Sequence, residues 1–200
     1  MSGRKASLTP APSPLPRGEG AAATRRTAGE GSEHPLVLAV GNPLRSDDGA
    51  GPAVAELLRG DGVEARVLHQ LGPELCEEVA AAAAVVFLDA RAGGVPGEVV
   101  SRPLAPGGGA GSTTHAVAPE VVLALAERLH GARPPALLLT VVGRSFDLGE
   151  RLSPEVVAAL PRARDAALAF LAPFRAAAGG QDQSGSVKPI ASTVSGAFSS

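Results

Sequence analysis

The chain has 200 residues, 44% of them hydrophobic, which suffices for one sizeable core and would be crowded for two. A formal net charge of −2 exerts no long-range pull on nucleic acid or an anionic membrane, and five Phe with no Tyr or Trp leave few platforms for base stacking. The single cysteine, Cys76, excludes an intramolecular disulfide and fits a reducing, cytoplasmic compartment, while no apolar run reaches the roughly 18 residues of a membrane span or forms a signal-peptide core.

Residues 1–33 are dense in Pro, Gly, Ser, Ala and Arg, without an apolar period that could offset the entropy of ordering them; a disordered leader is expected. Glu19, Glu30, Glu33 and the many prolines argue against an amphipathic transit helix. The run Leu36–Val40 then reads as a buried strand. A breaker-rich turn holding Asn42, Arg45, Asp47 and Asp48 follows, and Ala53, Val54, Leu57 and Leu58 recur at helical spacing. Val63, Ala65 and Val67 alternate with charged residues, as in a half-exposed strand nearer a sheet edge. Pro73 to Ala82 reads as a helix with Leu75, Val79 and Ala82 on one face.

Val85 to Leu88 is a third strand, ending at Asp89. The Gly- and Pro-rich segment from Arg91 to Gly111 contains one short strand, Glu98 to Arg102. Its Gly107–Gly111 run leads as a flexible loop into Ser112-Thr113-Thr114-His115. Pro119 to Leu129 is an amphipathic helix stopped near Gly131 and Pro134, Ala136 to Val142 a buried strand, and Ser153 to Phe174 a long helix with Pro154 at its first position. Beyond it Gly, Ser and Gln dominate. The expected organisation is a leader (1–33), one domain (34–178) and a flexible tail (179–200). The fold class is α/β, three-layer: a twisted, mostly parallel sheet of about five strands with helices on both faces.

In such a sheet the strand ends and helix starts converge along one edge, which can bring Asp47 and Asp48, Asp89 and His115 together. Two carboxylates and an imidazole suit a divalent metal: nickel, zinc, iron or manganese. Singly, each has a structural reading. Asp-Asp-Gly before a helix is also an N-cap, Asp89 a turn residue, and His115 a capping or loop histidine. His34, His69 and His130 are weaker candidates. Cys76 has no adjacent basic residue in sequence, and Ser112 and Ser145 lack a nucleophile-elbow context. Spacing alone leaves the function open.

The string GNPLRSDDGAGPAVAELL, from Gly41 to Leu58, resembles the signature loop and helix of the hydrogenase maturation endopeptidases. The resemblance continues in order through FLDARAGGVPGEV, THAVAPEVVLALAERL and LTVVGRSFDLGERLSPEVVAAL, over roughly residues 36–171. It implies a twisted α/β fold and an endopeptidase that removes the C-terminal extension of a nickel-iron hydrogenase large-subunit precursor once nickel is installed. The implied metal contacts are Asp48, Asp89 and His115. The nickel is borne by the substrate's cysteines and serves first as a template that fixes the scissile bond; another divalent metal is compatible with the same ligands. Asp47 is a candidate base or structural cap, and Asn42 a residue that orients the loop or contacts the scissile region.

Two features depart from the family pattern. Asp48 stands where well-known members have Glu, and QLGPELCEEV replaces a Gly-rich element after the second strand. The expected partner is the precursor, with no nucleic acid or membrane, and the chain is expected to act as a monomer. Two other classes remain open. One is a non-catalytic assembly factor that binds a metallated partner. The other is a receiver-type phosphoacceptor module, which needs a lysine near a late strand end, whereas Lys5 and Lys188 both lie in the expected tails.

Overall fold

The computed structural model describes residues 34–108 and 117–178. In chain order these form β1 (Leu36–Val40), a 3₁₀ turn (Ser46–Gly49), α1 (Ala50–Gly60), β2 (Ala65–Leu68), a 3₁₀ turn (Pro73–Leu75) and α2 (Cys76–Ala81). β3 (Val85–Arg91), β4 (Val99–Leu104), α3 (Pro119–His130), β5 (Ala136–Val142) and α4 (Pro154–Ala178) follow. One five-stranded sheet has the order β2-β1-β3-β5-β4; all its pairings are parallel except β4 with β5.

Side-chain alternation sorts the core into two layers. From β1 and β3, Val37, Ala39, Val86 and Leu88 face α1 and α4, joined there by Val54, Leu58, Val156 and Leu171. Leu38, Val85 and Phe87 point the other way, onto Leu75, Val79, Val122 and Leu123 of the α2–α3 side. Because β1 and β3 are covered on both faces, they read as continuous apolar runs rather than alternating ones. Full burial of a side chain such as Phe87 or Leu38 is worth about 1.5–3 kcal/mol. α4 meets the sheet through Ala159, Ala163 and Ala167, all fully buried, so that its backbone lies close. Its internal prolines, Pro161 and Pro173, sit on the exposed face.

Several local details differ from the sequence reading. The Pro73–Ala82 helix begins as a 3₁₀ turn and becomes α-helical only at Cys76. β3 runs on to Arg91, two residues beyond Asp89, because its pairing with β5 continues to Val142 after its pairing with β1 has stopped at Leu88. The short strand after it runs from Val99 to Leu104 as an antiparallel edge and includes Pro103. This sheet order, with its antiparallel edge, departs from the 2-1-3-4-5 order of receiver-type folds. Among the described residues no helix is long and apolar enough to cross a membrane. The 1–33 leader and the 179–200 tail lie outside the described residues.

Candidate active site

The carboxyl ends of β1, β3 and β5 meet at one edge, and two loops are joined there. The first, from β1 to α1, leaves Val40 through Gly41, whose φ of +144° and whose approach to the Asp48 carbonyl exclude a side chain: a Cβ would stand 2.0 Å from that oxygen. The second loop joins β5 to α4. Ser46 N–H donates to the Gly149 carbonyl (2.7 Å), Gly149 N–H to the Leu44 carbonyl (2.9 Å) and Asp47 N–H to the Ser145 carbonyl (3.0 Å). The Arg45 guanidinium donates to the Phe146 carbonyl at 3.1 and 3.3 Å.

Asp47 is the centre of this junction. Its side chain is fully buried. One oxygen accepts the N–H groups of Arg144 (2.7 Å) and Ser145 (3.1 Å), and the other accepts that of Ser153 (2.6 Å). Burial acts to raise its pKa, but the Ser153, Ser145 and Arg144 amides outweigh it and hold the carboxyl below its ordinary value. A carboxylate so occupied is a weak proton acceptor and a strong structural tie.

Asp48, on the same 3₁₀ turn, points elsewhere and accepts the Asn42 N–H at 2.8 Å, while Asn42 accepts the Leu44 N–H through its own side chain (3.0 Å). Neither aspartate caps α1, whose N-cap is Gly49. The helix start is pressed onto the strand ends instead. A Cβ on Gly51 would lie 2.5 Å from the Val40 carbonyl oxygen and 3.0 Å from that of Leu88.

Asp89 sits one residue past the last β1 pairing and opposite Thr140 of β5, on the face of the sheet that carries Phe87. Its carboxyl accepts the Ala90 N–H (2.8 Å). Burial pushes its pKa from 3.8 to about 6; the Ala90 bond opposes the shift, and the negative charge of Asp48 adds to it. The charge of Asp48 thus reaches Asp89, 41 positions away in the numbering.

His115 lies outside the described residues, as do Ser112 and the Gly109–Gly111 part of the glycine run. Among the described residues no group of three His, Cys, Asp or Glu side chains is disposed to hold a metal ion. His69 follows β2 and is exposed. Ser145 donates its hydroxyl to Asp147 (3.0 Å). Cys76 opens α2, and the fold sets His130 Nε2 3.8 Å from its sulfur, a neighbour that local sequence could not reveal; the pair belongs to the α2–α3 layer. The sequence also gave no sign of which aspartate of the Asp47-Asp48 pair turns inward, nor that Ser153, expected as a cap, spends its N–H on Asp47.

No protein-family model and no curated protein matches the sequence. Solved structures do. The [NiFe] hydrogenase maturation protease HybD from Thermococcus kodakarensis is 25% identical over 68% of this chain and 98% of its own, with a TM-score of 0.54. The hydrogenase maturating endopeptidase HybD from E. coli is 26% identical over 70% of this chain and 93% of its own, also at 0.54. A hydrogenase 2 maturation peptidase from Thaumarchaeota archaeon SCGC_AB-539-E09 is 26% identical over 70% and 98%, at 0.52. The fold and this likeness together define an α/β peptidase. More narrowly, the solved structures it resembles at this identity are hydrogenase maturation endopeptidases.

Proposed function

We propose that this enzyme removes the C-terminal extension of a hydrogenase large-subunit precursor, with the substrate-borne nickel as its recognition element. The observation that carries the reading is that Asp48 and Asp89, from separate elements, lie at the same carboxyl edge of the sheet, near enough for the Asp48 charge to add to the effect of burial on Asp89. Two carboxylates supply the hard donors that nickel held by substrate cysteines still lacks, and His115 would complete the set. The metal is substrate in this scheme: it fixes where the scissile bond lies, so only a loaded precursor is cut.

The chain's own residues then divide the work. Asn42 holds Asp48 in place by its N–H. Asp47 serves as a structural tie that fixes the turn presenting Asp48 and the loop facing it. Asp89 must be ionised either to contact the metal or to take a proton from the attacking water, and its raised pKa places that ionisation near the working range.

The test is to mix the purified enzyme with precursors from the same organism, with and without nickel, and follow intact mass. Loss of a C-terminal peptide from the nickel-loaded form alone, abolished by Asp89→Ala and by His115→Ala, is expected. Processing that survives Asp89→Ala refutes the assignment.

A further inference from the structure

The junction that holds Asp47 also shapes a groove. An open cleft of about 270 Å³ is lined by Pro43, Ser46 and Gly49 from the first loop, Pro52 and Ala53 from α1, and Glu150 and Leu152 from the second loop. Ser46 and Gly49 belong to the same 3₁₀ turn as Asp48, so the turn that presents Asp48 also forms one wall of the groove. Beside it the Gly149 N–H bond to the Leu44 carbonyl (2.9 Å) brings the two loops side by side. Each of these loops turns a leucine outward: Leu44 is 58% exposed and Leu148 89%. Glu150 is exposed and has no hydrogen bond or ion pair among the described residues.

We infer that this groove seats the stretch of substrate chain next to the scissile bond. One apolar side chain of that stretch lies between the groove walls, Leu44 and Leu148 cover it, and a cationic residue pairs with Glu150. The inference rests on the endopeptidase reading. Its chemistry follows from the walls, which are proline, alanine, glycine and leucine with a single free carboxylate and the Ser46 hydroxyl, itself donated to the Asp147 carbonyl at 3.1 Å. Such walls offer an extended peptide apolar contact and one charge, and offer a phosphate or a sugar almost nothing. A covered Glu150 without a cation would be left desolvated and unpaired, which selects for a basic residue in the occupant.

The experiment uses the full chain and a fluorescein-labelled peptide copying the precursor's C-terminal extension with the residues before it, read by anisotropy. A companion peptide has its basic residues changed to glutamate. Leu44→Ser/Leu148→Ser and Ala53→Trp, which fills the groove, are expected to weaken binding about tenfold or more while their thermal melts stay that of a folded protein. The charge-reversed peptide is expected to bind wild type poorly and Glu150→Lys better. Unchanged affinity in these variants, or no peptide binding by wild type, overturns the groove. Peptide binding that follows the expected pattern while nickel-loaded precursor stays full length overturns the endopeptidase reading and leaves the groove standing. Cleavage by wild type that none of the groove variants affects does the reverse.

Discussion

Asp47 and Asp48 are chain neighbours whose carboxylates serve opposite ends. Asp47 is buried and accepts three backbone N–H groups from the loop after β5, whereas Asp48 accepts the single N–H of Asn42 and faces Asp89 electrostatically. One residue therefore fixes the frame and the next presents a charge to it.

Replacing Asp47 by Ala strands three part-buried amides, each costing about 1–3 kcal/mol when unsatisfied, partly recovered where the loop relaxes and water reaches them. A loss of about 3–5 kcal/mol in urea unfolding is expected. A variant within about 1 kcal/mol of wild type would contradict the role assigned to this carboxylate.

The pH dependence of Asp47 has a definite sign. Its folded pKa lies below 3.8, so its contribution is complete above that value and is lost as pH falls through the folded pKa. In Asp47→Asn the acid limb of the stability curve should flatten. Thermal melts between neutral pH and strong acid measure this directly.

Asp89 behaves in the opposite sense. With a folded pKa of about 6 against 3.8, folding is favoured below 3.8, and that advantage drains away as pH rises through about 6. The cost at neutral pH is about 3 kcal/mol. Asp89→Asn is thus expected to raise the melting temperature at pH 7 while ending precursor processing, a stability gain bought at the expense of function. A variant less stable than wild type at pH 7 would refute the assignment of this cost to an ionised carboxylate.

Removing the Asp48 charge should be felt at Asp89. In Asp48→Asn the Asp89 pKa should fall toward, without reaching, its ordinary value, since burial remains the larger cause. Carboxyl ¹³C titration by NMR reads the shift. An unmoved Asp89 would separate the pair.

Gly41→Ala tests the entry to the first loop. The added carbon would lie 2.0 Å from the Asp48 carbonyl at a φ of +144°, where L residues are strained in any case. A loss of more than about 3 kcal/mol is expected, with processing reduced even in the folded fraction because Asp48 itself must shift. Urea unfolding alongside the intact-mass assay separates the two effects.

Much of this architecture is legible in the sequence, for physical reasons. Leu36–Val40 and Ala136–Val142 are apolar on both faces, so each reads as a buried strand with its observed bounds. Pro119 and Gly131 bracket α3 because one pre-sets helical φ and the other adopts the left-handed conformation that ends it. The direction of β4 was not legible, since antiparallel pairing at an edge leaves no local trace in VVSRPL. Nor was the inward turn of Asp47, whose partners lie about a hundred residues away at Arg144, Ser145 and Ser153. Local pattern encodes faces and ends; long-range polar pairing is set only when the chain closes.

Pro103 lies within β4, at the open flank of the sheet and opposite Leu137. A proline can be held in a paired strand where its missing N–H faces away from the neighbour, so the outer rim of this sheet lacks a donor at that point. Another copy approaching edge to edge could not complete a hydrogen-bond ladder along it. The residue thus acts as a gatekeeper against polymerisation, and Pro103→Val would be expected to fold normally yet increase light scattering on prolonged storage at high concentration.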